Sequence, residues 1–257
     1  MQIFEVELFK VFLLVMIRVG GLIVSAPVLG SRNFPVIGKI GLVGMTAMLI
    51  TPSVTMVGGG VPDDALAFAF MGVGELLIGL LMGFVMTMVF AAIQIGGQLM
   101  DMQSGFGMMN VFNPAMETQF PIFGFFYFIV AVLYLLILDG HHLMLLALVR
   151  TFDKIPLGGF VFHPELLLQV PRWGSAMFVD GLLIAAPIVG AMFVAYASLG
   201  LLGRVVPQIH LFVVGFPLTM ALGMLVVGMS IQVYLAVLNG MFYNMFRNVD
   251  SMINGMH

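Results

Sequence analysis

Long apolar runs separated by short polar breaks dominate the chain, and their lengths define the elements it predicts. The first run extends from about Glu5 to Leu29, with acidic residues in its first turn, where the helix dipole favours them, and Arg18 breaking it midway. A loop carrying Arg32, Pro35 and Lys39 follows. The second run, Ile40 to Val57, is just long enough to cross a hydrocarbon core at about 1.5 Å per residue. It ends at Gly58-Gly59-Gly60-Val61-Pro62-Asp63-Asp64, where Asp64 is placed to cap the next helix. The third run, Ala65 to about Gln98, is interrupted only by Glu75 and Gln94, and a polar, glycine-rich stretch over 96–119 closes it.

Pro121 to Val149 forms the fourth run, with Asp139-Gly140-His141-His142 in its second half. The prolines at 156, 164 and 171 make 150–172 a surface connection. Gly174 to Gly203 is the fifth run, apolar except for Asp180 and containing Pro187. After Arg204-Val205-Val206-Pro207-Gln208 nothing formally charged occurs until Arg247, which leaves room for a hairpin bent near Gly215 and Pro217 or for one long kinked helix. About six apolar segments and no strand pattern predict an all-α protein of membrane type. No internal repeat is evident, so residues 1–257 are expected to form a single domain.

Composition sharpens this. Hydrophobic residues make up 61% and charged residues 8%, against roughly 45–50% and about 25% in soluble domains. That excludes a soluble globule and intrinsic disorder alike. A net charge of −3 with scattered cations leaves nucleic-acid binding without a footprint. The absence of cysteine removes disulfides, thiolate metal sites and a cysteine nucleophile. The acidic start of the chain does not suit a cleaved signal, so the first helix is expected to be retained. Met and Phe, 24 of each, serve either as bulky membrane filler or as an adaptable contact surface.

The charges do not fit a plain six-pass bundle. Arg32 and Lys39 put the first loop on the cytoplasmic side, yet simple alternation then places 96–119, which has no Lys or Arg, inside and the loop with Arg150, Lys154 and Arg172 outside. Either the stretch 65–98 returns to its starting side, as a hairpin or a non-spanning helix, or partner subunits assemble the helices. Arg18, Glu75 and Asp180 lie within apolar runs, where lipid exposure costs roughly 2.5–3.5 kcal/mol, so they must face protein or water. Glu75, Gly79, Gly83 and Thr87 recur every fourth residue and stack as a small, polar face with a GxxxG step, suited to close packing within the chain or between subunits.

Little chemistry is on offer. Asp139, His141 and His142 form the only carboxylate–imidazole cluster, to be read as a proton relay or as a simple helix break. No metal-ligand spacing, Walker loop, GxSxG or HExxH occurs, so neither a metal, a cofactor nor an enzyme is expected. The segment from Gly96 to Pro114 combines glycines, amides and soft apolar bulk at Phe106, Met108, Met109 and Phe112. It is either a pore-occluding segment or a solvated loop. A secondary transporter or small ion channel using Glu75, Asp139, His141 and Asp180 is the competing reading.

Gly96-Gly97-Gln98, Gly105-Phe106, Phe112-Asn113-Pro114, Leu138-Asp139-Gly140-His141, Ile155-Pro156-Leu157-Gly158 and the stretch Pro207 to Pro217 occur in an order that resembles the FliR family of flagellar export proteins and its type III secretion counterpart. The resemblance implies a subunit of a flagellar export gate in the bacterial inner membrane. Its partners would be FliP, FliQ and FlhB homologues, its cargo unfolded flagellar proteins and its surroundings lipid. It further implies that Gly105, Phe106, Gly107, Met108, Met109, Asn110, Phe112, Asn113 and Pro114 plug the channel. Pro207, Gln208, Phe212, Gly215 and Pro217 would shape a bend between C-terminal helices. Helices of that family rise out of the bilayer toward the periplasm, which would account for the charge conflict. No FlhB-like region is expected to be fused to the chain.

Overall fold

The computed structural model describes residues 2–31, 34–56, 60–107, 121–206 and 211–256, with side chains left out at 2–5, 165, 211 and 212. Seven α-helices account for most of the described residues: α1 Gln2–Ser25, α2 Val36–Ile50, α3 Ala65–Ser104, α4 Ile122–Ile137, α5 Gly140–Lys154, α6 Pro164–Val205 and α7 Leu211–Asn254. Five stretches are long and apolar enough to cross a membrane, and α4 with α5 makes a sixth if the pair is one broken span. The all-α membrane class follows directly from the apolar runs.

Local chemistry explains three of the boundaries. Asp64 caps α3, its carboxylate accepting from the Ala67 N–H at 3.0 Å. Pro164 opens α6 at the first helical position, where its missing N–H costs nothing. Asp139 separates α4 from α5 by adopting a left-handed conformation, φ 54°, which Asp tolerates better than most residues.

Two expectations are corrected, and one open alternative is decided. The third run is neither a hairpin nor finished at Gln98; α3 is one helix of 40 residues ending at Ser104. The polar residues of 98–104 mislead because several are used for packing and capping. The connection 150–172 shrinks to residues 155–163, flanked by helices, and it is not superficial: Ile155 and Leu157 are fully buried, and Leu157 donates its N–H to the Thr55 carbonyl. Of the two alternatives for the final run, the single long helix is the one found, with 44 residues and Pro217 inside it.

At about 1.5 Å per residue, α3, α6 and α7 measure roughly 60–66 Å, twice the ~30 Å hydrocarbon thickness. None fits within a bilayer as a simple crossing.

The chain divides into two compact units. The first comprises 1–88, 135–173 and 243–257; the second comprises 89–134 and 174–242. In the first unit the core is built on α1 and the first part of α3, with Leu14, Leu22, Ile23, Ile78, Met82 and Met86 buried. In the second, Tyr127, Met192, Tyr234 and Leu238 are buried. The Tyr127 and Tyr234 hydroxyls are both satisfied, by Ser230 Oγ at 3.0 Å and by the Tyr127 carbonyl at 2.7 Å.

Candidate functional site

In the first unit, α1 and α3 run parallel and meet along the small face of α3. A Cβ at Gly79 would overlap the Arg18 carbonyl oxygen, and one at Gly83 would overlap the Ser25 side chain. Thr87 donates to the Ser25 carbonyl at 2.8 Å. The face formed by Glu75, Gly79, Gly83 and Thr87 is therefore turned to α1 of the same chain, with the glycines permitting backbone approach.

Glu75 begins this contact and ends in a buried ion pair. Its Oε2 lies 2.5 Å from Arg18 Nε, both side chains being fully buried. Further partners come from the end of α5 and the connection after it, while Arg18 Nη2 is buried without a hydrogen-bond partner among the described residues. Arg18 Nη1 donates to Thr151 Oγ1 at 3.2 Å and to the Ile155 carbonyl at 3.0 Å, and the Gly158 N–H donates to Glu75 Oε1 at 2.9 Å. The guanidinium also lies over the Phe152 ring, 4.1 Å from its centroid. Gly158 reaches Glu75 with φ 76°, a left-handed value that favours glycine. Neither the pairing of Arg18 with Glu75 nor the role of Ile155-Pro156-Leu157-Gly158 in receiving them is legible in the sequence pattern. Three separated segments, α1, α3 and the stretch 151–158, are thus tied at one point.

In the second unit the end of α3 is tied to the start of α4. Asp101, on the last turn of α3, accepts from the Phe123 N–H at 3.1 Å and the Gly124 N–H at 3.3 Å. These are orphan donors of the first turn of α4, so one carboxylate caps a helix 22 residues away. A Cβ at Gly97 would overlap the Gly124 Cα, so the two backbones touch. The Gln103 carbonyl at the end of α3 accepts from the Tyr196 hydroxyl at 2.7 Å.

Gly105 then turns the chain with φ 90°, buried 3.3 Å, from its would-be Cβ, against Phe216. Phe106 is half-buried with its ring edge-on to Phe123, centroids 5.0 Å apart, and Gly107 is half-buried. Met108, Met109, Asn110, Phe112, Asn113 and Pro114 lie outside the described residues, as do Pro207 and Gln208, and the Phe212 side chain is not described. Gly215 and Pro217 both lie within α7. Asp101 is the helix anchor that the sequence pattern does not reveal; an acid placed just before a glycine-rich turn is its only signal.

Replacing Asp101 by Ala would leave two N–H groups of α4 without their cap, at a cost of about 1–2 kcal/mol. Thermal unfolding in detergent is expected to show that loss for Asp101→Ala and a smaller one for Asp101→Asn, which keeps an acceptor.

The ionisable residues of the transporter reading, Glu75, Asp139, His141 and Asp180, form no ion pair with one another among the described residues. Glu75 is committed to Arg18, and Asp139 is exposed at the start of α5, where its carbonyl accepts from the His142 N–H at 2.9 Å. His141 and His142 have ring centroids 5.3 Å apart, and Asp180 belongs to the other unit. Among the described residues no group of three or more His, Asp or Glu side chains is placed to hold a metal ion.

Comparison with known proteins adds an independent line. The profile of the bacterial export proteins, family 1, matches residues 9–245. The chain is similar to the flagellar biosynthetic protein FliR of Escherichia coli K12, at 33% identity over 212 residues covering 81% of this chain and 79% of that protein. It is likewise similar to FliR of Bacillus subtilis 168, at 31% identity over 240 residues and 92% of each chain. FliR of Pectobacterium carotovorum is 32% identical over 213 residues, 83% of this chain and 81% of that protein.

Proposed function

The chain belongs to the bacterial export proteins, family 1, as a membrane component of the flagellar export apparatus, and from that premise we propose that it lines and plugs the channel for unfolded flagellar proteins. The transporter alternative has no support. In this reading the chain acts as one export-gate domain in the bacterial inner membrane. FliP, FliQ and FlhB homologues complete the gate, and the work is conduction rather than catalysis.

The tie between the end of α3 and the start of α4, on either side of the Met and Phe segment, is the observation that supports the plug assignment. A seal that yields to a passing polypeptide needs a deformable middle and fixed ends. The fixed ends are Asp101 on Phe123 and Gly124, the Gly97–Gly124 contact, and the Phe106–Phe123 ring pair. Between those ends the sequence supplies Met108, Met109 and Phe112, soft apolar bulk of the kind a seal needs.

Helix length supports the partner subunits. Exposed apolar residues run along α6 from Leu168 (67% exposed) to Val205 (78%), a rise of roughly 55 Å at 1.5 Å per residue. A ~30 Å hydrocarbon layer covers only part of that, and the rest requires protein. The tagged chain purified from native membranes is expected in a large complex containing FliP and FliQ homologues. A lone homo-oligomer would overturn the export-gate reading.

A further inference from the structure

We propose that the groove between α5 and the last turns of α7 binds one anionic phospholipid, a phosphatidylglycerol, with its phosphate between Arg150 and Arg247. The groove has a volume of about 350 Å³. Its α5 wall carries Leu143, Leu146 and Arg150, and its α7 wall carries Tyr243, Phe246, Arg247 and Asp250. Both sets follow the three- and four-residue spacing of one helix face. The two helices run in the same direction here, because Lys154 one turn beyond Arg150 donates to Asn254 Oδ1 at 2.6 Å, one turn beyond Asp250. Each wall therefore changes from apolar to charged in the same sense, over about 10 Å of helix.

That gradient has the form of an amphiphile. Leu146 is 49% and Tyr243 70% exposed, so the apolar end offers uncovered surface to an acyl chain. At the charged end, Arg150 and Arg247 make no hydrogen bond or ion pair among the described residues, and Asp250 engages neither. Two guanidinium groups from different helices suit the oxygens of one phosphate, for which Arg is geometrically matched. A free phosphate would leave the apolar end unused. Two cations and one carboxylate leave a net charge of +1, which one phosphatidylglycerol neutralises and a zwitterionic lipid does not. Asp250 is then available to accept from the glycerol hydroxyls. Basic grooves between membrane helices are general sites for anionic head groups.

The test uses the full-length chain, delipidated in detergent and titrated with phosphatidylglycerol or phosphatidylcholine of identical acyl chains under native mass spectrometry. One phosphatidylglycerol is expected to bind at a concentration roughly tenfold lower than phosphatidylcholine. Excess inorganic phosphate should not displace it. Arg150→Gln with Arg247→Gln should erase the preference, while Arg150→Lys with Arg247→Lys should keep most of it, which separates lost charge from lost fold. Equal retention of the two lipids by the unaltered chain would overturn the proposal, whatever the variants do. So would displacement by inorganic phosphate, or a photocrosslinker at Leu146 that captures a partner protein instead of lipid in the native complex.

Discussion

Glu75→Ala is expected to destabilise the first unit by about 3–5 kcal/mol, because it leaves Arg18 charged, buried and without its counter-ion. The Thr151 hydroxyl and the Ile155 carbonyl would remain on the guanidinium, but neither carries charge. The Gly158 N–H would also lose its acceptor, and the connection after α5 would lose its tie to α3. Replacing both partners by apolar residues removes the charge as well as the pair, and such exchanges are often neutral. The double variant Arg18→Met with Glu75→Met should therefore recover more than half of the loss. Unfolding in mixed micelles, read alongside abundance in membranes, measures this. Equal stability of Glu75→Ala and the unaltered chain would show that the pair contributes little.

Much of the architecture was legible because hydropathy reports what lipid and subunit contact demand. The apolar runs mark α1, α2, α3 and the long C-terminal helices, and the polar break at Asp139-Gly140 marks the division between α4 and α5. What stayed hidden depends on partners distant in sequence. Residues 98–104 read as a loop, since a carboxylate and two glutamines in a glycine-rich stretch oppose a membrane helix. Yet Asp101 is occupied in capping α4, and Gly97 is a point of contact rather than of freedom. The stripe from Glu75 to Thr87 was visible as a face, but nothing on α3 alone says that α1 covers it. Arg18 and Glu75 were visible as charges that must be buried or wet, and their pairing across 57 residues follows only from that helix contact. Ile155 to Gly158 stood out as a motif without a purpose until its carbonyl and N–H were found on the ion pair.

The second large effect concerns the seal. Deleting Gly105 to Pro114 removes Phe106, Met108, Met109 and Phe112 together, the apolar bulk that would exclude water from a closed channel. Asp101 and the start of α4 lie outside the deletion, so the capped junction keeps its partners and the complex is expected to assemble. Changing the same four residues to Ser at full length tests the bulk without shortening the loop. In both variants small ions should cross where the unaltered gate holds them back. The decisive measurement is ion conductance of membranes containing the assembled complex with residues 105–114 deleted. A rise of roughly tenfold or more over the unaltered complex is the result expected of a hydrophobic seal, and unchanged conductance in an assembled gate would contradict it.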